Sequence, residues 1–104
     1  EERRAIQMYD LSTALTARYN RKLSRAIGEI EVATGIDILE WDMAGFLTSQ
    51  IEDAEELGYT NTEDACAAVP QGLPCEGYVF ADAVHPTSAV HTLAGQDVLK
   101  VLGE

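Results

Sequence analysis

The chain has 104 residues, 46% of them hydrophobic, and eighteen acidic residues against seven basic give it a formal charge of -11. That length allows one domain at most, or part of a larger one, and the apolar fraction suits a globular core rather than global disorder. The acidic balance repels phosphate backbones and anionic membrane surfaces, so no nucleic-acid partner is expected. No apolar run approaches the length that crosses a bilayer. The first residues, EERRAIQMYD, carry no signal-peptide core and open within a helical pattern, so a mature or processed piece is expected.

Over residues 4–34, Ile6, Tyr9, Leu15, Tyr19, Leu23, Ala26, Ile27 and Ile30 recur at helical spacing. Arg18, Arg21, Lys22, Arg25, Glu29 and Glu31 fill the opposite face, and Gly35 supplies a stop. IDILEWD, residues 36–42, reads as a mostly buried strand. Asp42 is placed to cap a second helix from Met43 to about Ala54, with Met43, Ala44, Leu47 and Ile51 on one side. Gly58 and Asn61 mark a turn into a short helix near Thr62–Ala67, and residues 69–77 read as loop. GYVF, residues 77–80, is a short strand. Pro86 keeps His85 in extended backbone, and Thr87 or Ser88 can then cap a final helix through about Leu102. Val90, Leu93, Ala94, Val98, Val101 and Leu102 form its apolar stripe.

Helices alternating with short buried strands indicate a layered α/β fold with a parallel sheet. Two strands cannot complete such a sheet, so the chain reads as one half of a domain.

Cys66 and Cys75 flank a short Pro- and Gly-containing segment, and their spacing is far from C-x-x-C. A loop-pinning disulfide in an oxidising compartment is the expected reading; two reduced buried thiols are the alternative. The chemistry concentrates in FADAVHPTSAVHTLA, residues 80–94. An Asp three positions before a His in a tight loop can accept the imidazole Nδ1–H, which fixes the tautomer and leaves Nε2 as a base. The loop follows a strand's carboxyl end, where open α/β sheets place their ligand sites.

YVFADAVHPTSAVHTLA resembles the last conserved block of the SGNH (GDSL-type) lipase/esterase family, whose Asp-x-x-His-Pro carries the triad Asp and His. YNRKLSRAI is similar to that family's Asn-x-x-Leu helix, and GIDILEWDM to the strand and Asp that follow. ELGYTNTEDAC, with a second Cys before the Asp-His block, resembles secreted and autotransporter-type members. The similarity runs through most of residues 9–102 in order.

The resemblance implies a three-layer α/β/α flavodoxin-like fold, of which residues 1–104 are the C-terminal part of a single domain. It implies a serine carboxylic-ester hydrolase that needs no metal or other cofactor, acting on a small-molecule or lipid ester in a secreted, periplasmic or cell-surface location. His85 becomes the general base and Asp82 its orienting carboxylate. The family's Gly-Asp-Ser nucleophile segment and its Gly and Asn oxyanion donors have no counterpart here, and Ala81 stands where an aromatic residue is common. Ser12, Ser24 and Ser49 fall in helical patterns, and Ser88 reads as a cap. The chain is therefore expected to be catalytically incomplete alone and to need the N-terminal portion of the same hydrolase as a partner.

Two readings from other classes stand beside this one. Asp82, His85 and His91 could hold a metal, although the two histidines are six positions apart rather than the three or four usual for helical ligands. The chain could also be a non-catalytic binding or assembly module. His91 on its own reads as a structural side chain that hydrogen-bonds the dyad loop.

Overall fold

The structure is a computed structural model that describes residues 1–68 and 75–103. It divides into two compact units, Glu1–Ile38 and Leu39–Glu104.

The first unit is essentially one helix, α1 (Glu2–Thr34), of 33 residues. It ends where the periodicity breaks: Gly35 takes the left-handed conformation at φ 72°, and its amide donates to the Glu31 carbonyl. Glycine adopts that backbone without a Cβ penalty, which is why it stops helices so often. No α1 residue is buried, and Ile6, Tyr9, Leu15, Tyr19, Leu23 and Ile30 are all exposed. Beyond Gly35, the Ile38 amide donates to the Glu31 carboxylate at 3.1 Å.

The second unit is built around β2 (Tyr78–Phe80), which pairs in parallel with β1 (Asn61–Ala65). The register sets Asn61 against Tyr78 and Ala65 against Phe80, with an irregularity between them. Helix α2 (Met43–Glu52) packs against both α3 (Ala54–Leu57) and α4 (Ser88–Val101). Val79, the middle residue of β2, and Val90 of α4 are fully buried, and Phe46 of α2 closes the cluster. Trp41, Leu47, Tyr59, Phe80, Leu93 and Ala94 pack around these three. The buried Gln50 side chain is satisfied by the Tyr59 hydroxyl, which donates to its Oε1 at 2.8 Å. Burial raises the Tyr59 pKa and so keeps that donor protonated.

Several expectations hold locally. Asp42 caps α2, its Oδ1 accepting the Gly45 amide at 2.9 Å, and α4 and β2 lie where periodicity put them. Cys66 and Cys75 form a disulfide. Most of the loop expected at 69–77 lies outside the described residues.

The three-layer α/β/α flavodoxin-like fold is not what these residues form. Among the described residues there are four α-helices and one sheet of two strands, too little sheet to be covered by helices on both faces. The strand expected at 36–42 is absent, because no described residue offers that backbone a ladder. Trp41 is instead drawn into the core cluster and Asp42 to the α2 amides. The helix expected near Thr62–Ala67 is β1 followed by a 3-10 turn at Cys66–Ala68. Asn61 Oδ1 accepts the amides of Glu63 and Asp64 at 3.1 and 2.9 Å, the bonds an N-cap would make, so it is the pairing with β2 that holds the stretch extended.

Two stability outcomes follow. Val79→Ala should cost about 2 kcal/mol in urea unfolding, since it hollows a fully enclosed site, whereas Ile6→Ala on the exposed face of α1 should change stability by less than about 0.5 kcal/mol. Replacing both Cys66 and Cys75 with Ala should cost roughly 2–3 kcal/mol by the chain-entropy account of a short closed loop.

Candidate functional site

The dyad loop is fixed at both ends by backbone hydrogen bonds. Phe80 and Pro86 form an antiparallel bridge across it, and the Ala81 amide donates to the His85 carbonyl at 2.8 Å. One residue further on, the Thr87 amide donates to the Val79 carbonyl at 2.9 Å. The Thr87 hydroxyl donates to the Tyr78 carbonyl, also at 2.9 Å. The loop is thus stitched to Val79, a fully buried residue of β2, and Thr87 is itself buried.

Thr87 occupies the N-cap position of α4, yet its hydroxyl makes no cap bond. The capping expected of Thr87 or Ser88 is replaced by the Thr87 tie to β2. Ser88 is the first helical residue.

Inside this frame the Asp82 carboxylate organises everything. Its Oδ1 accepts the amides of Val84 at 2.9 Å and His85 at 2.7 Å. The His85 Nδ1 lies 2.9 Å from Oδ2 and 3.0 Å from Oδ1. An ionised carboxylate has no proton to give, so Nδ1 must be the donor, and the neutral ring is held as its Nδ1–H tautomer. Nε2 then carries the lone pair. The His85 side chain is 70% exposed and that of Asp82 49%, so the base opens to the surroundings rather than into a sealed core.

The bonds from the Val84 amide, the His85 side chain and the His85 amide lower the Asp82 pKa, in that order of weight. Each of these bonds favours the ionised carboxylate. Lysine and arginine contribute little: Lys100 is the one such residue in Leu39–Glu104. Because the folded-state pKa is depressed, this contribution to stability is present above the unfolded-state pKa. It is lost as pH falls through the folded-state value.

The sequence-predicted pair Asp82 and His85 is therefore brought together, while His91 is not part of the constellation. His91 lines an apolar groove with Pro86, Trp41, Met43 and others, and its side chain makes no hydrogen bond among the described residues, against the expected tie to the dyad loop. Among the described residues, no group of three or more His, Cys, Asp or Glu side chains is arranged to hold a metal ion. Ser49 spends its hydroxyl on the Phe46 carbonyl at 2.7 Å, and Ser12 and Ser24 lie on α1.

The groove is the feature that sequence reading missed. Its residues come from three separated stretches, around 41–47, Pro86 and 90–94, and only the packing of α2 against α4 assembles them. No protein-family model, no curated protein and no solved structure matches the chain.

In a carboxyl 13C titration, Asp82 should give a midpoint below the ordinary aspartate range. The amide shifts of Val84 and His85 should move with the same midpoint, and Asp82→Asn should remove that coupled titration.

Proposed function

We propose that Asp82 and His85 are the orienting carboxylate and general base of a serine carboxylic-ester hydrolase of the lipase/esterase type. The observation that carries the reading is the geometry of one imidazole. Nδ1 is within 3.0 Å of both Asp82 carboxylate oxygens, an arrangement that in the neutral ring places the free lone pair on Nε2 of an exposed side chain. That is the arrangement a hydroxyl nucleophile requires of its base.

In the proposed reaction, Nε2 of His85 takes the proton of a serine hydroxyl as that oxygen attacks the ester carbonyl. The imidazolium so formed is stabilised by Asp82, then gives its proton to the departing alcohol. A water molecule, deprotonated by the same Nε2, hydrolyses the acyl-enzyme and restores the serine. The resemblance of the Asp-x-x-His-Pro block to the SGNH (GDSL-type) family supports the same roles.

The serine and the oxyanion donors are assigned to a partner, the N-terminal portion of the same hydrolase. Ser49 is engaged with its own helix, and Ser88 opens α4 immediately after the loop. A secreted, periplasmic or cell-surface location accompanies the reading. The disulfide is compatible with such compartments, and no described helix is long and apolar enough to cross a membrane.

Combined with that N-terminal portion, the chain should hydrolyse a short p-nitrophenyl ester, and the assembly should be labelled by a fluorophosphonate probe. His85→Ala should lower kcat/KM by at least about a thousandfold with the circular dichroism spectrum retained. Asp82→Asn should act in the same direction by disturbing the tautomer. Activity that survived His85→Ala would remove His85 from the mechanism.

A further inference from the structure

Resting on the ester-hydrolase reading, we propose that the groove between α2 and α4 receives the acyl chain of the ester, and that it fits a short chain of about six carbons. The groove has a volume of about 180 Å³. An enclosed apolar cavity of about 150 Å³ admits benzene, so the space suits six carbons rather than a long lipid tail.

The position of the groove ties it to the base. Pro86 forms part of its lining and is covalently next to His85, so the edge of the groove lies one residue from the base. The lining chemistry points to a neutral apolar ligand. Phe46 and Val90, both buried, belong to the core cluster beneath it, and Met43, Leu47 and Ala94 complete its apolar surface. Trp41 adds an indole whose one polar atom is already used: Nε1 donates to Asp97 Oδ2 at 2.8 Å. The ring also packs at 5.6 Å from Phe46, tilted by 44°, so a fixed apolar face is presented. Among the described residues, no lysine or arginine lines the groove to hold an anionic head group, and His91 is its one titratable side chain.

Trp41 is the sole tryptophan, so its fluorescence reports on the groove directly. Titrating the 104-residue chain with methyl hexanoate should shift the emission to shorter wavelength and saturate, whereas methyl acetate should bind at least about tenfold more weakly because it buries fewer methylenes. Ala94→Leu, which fills the groove, and Met43→Glu, which charges its exposed rim, should each weaken methyl hexanoate by about tenfold or more with helicity unchanged.

A response that does not saturate, or that is equal for the two esters, would overturn the acyl-groove assignment. So would competition between methyl hexanoate and the N-terminal portion of the hydrolase, which would make the groove an assembly seat. In the reconstituted enzyme, Ala94→Leu should lower the ratio of kcat/KM for p-nitrophenyl hexanoate to that for p-nitrophenyl acetate about tenfold. Turnover without that split would reject the groove and keep the hydrolase. Saturable binding with no turnover at all would reject the hydrolase reading and leave only an apolar-ligand site.

Discussion

The Asp82 carboxylate is the centre on which the dyad loop depends. Two backbone amides and one imidazole nitrogen converge on its two oxygens. In a part of the chain with a single lysine and no arginine, these hydrogen bonds take the place of a cationic partner. The same bonds that set the turn also set the histidine tautomer, so the local fold and the local chemistry are one arrangement. Removing the carboxylate would loosen the turn and free the ring together.

What holds that loop in place is equally economical. Val79 is fully buried, its carbonyl receives the Thr87 amide, and Phe80 and Pro86 bridge across the turn. Gly77 prepares the strand from the other side. At φ 80° it adopts a conformation that favours glycine, and a Cβ there would run into the Thr60 side chain. The Gly77 carbonyl accepts both the Thr60 and Asn61 amides. Position follows from these few contacts, since the hydrophobic core of the unit is small.

Features encoded by nearest neighbours in sequence were legible in advance. Gly35 at a helix end, Asp42 ahead of Gly45, and Asp82 three residues before His85 each act within one turn of chain, so residue type and spacing suffice. Features that depend on a distant partner were not. IDILEWD has the composition of a strand but no ladder among the described residues, and its Trp41 finds Asp97 across 56 positions. The stretch from Asn61 became a strand because β2 pairs with it, although its Asn side chain holds the amides of Glu63 and Asp64 as an N-cap would. Thr87 looked like a cap and is instead a tie to Tyr78. The apolar groove, gathered from α2, α4 and Pro86, had no signature in any one segment.

15N NMR of the imidazole tests whether Asp82 holds His85 with Nδ1 protonated and Nε2 open as a base. With His85 neutral, Nδ1 should show a pyrrole-type shift with an attached proton and Nε2 a bare, pyridine-type shift. Asp82→Asn should shift that population toward the other tautomer. A wild-type ring found mainly as the Nε2–H tautomer would mean that Asp82 does not set the tautomer of His85.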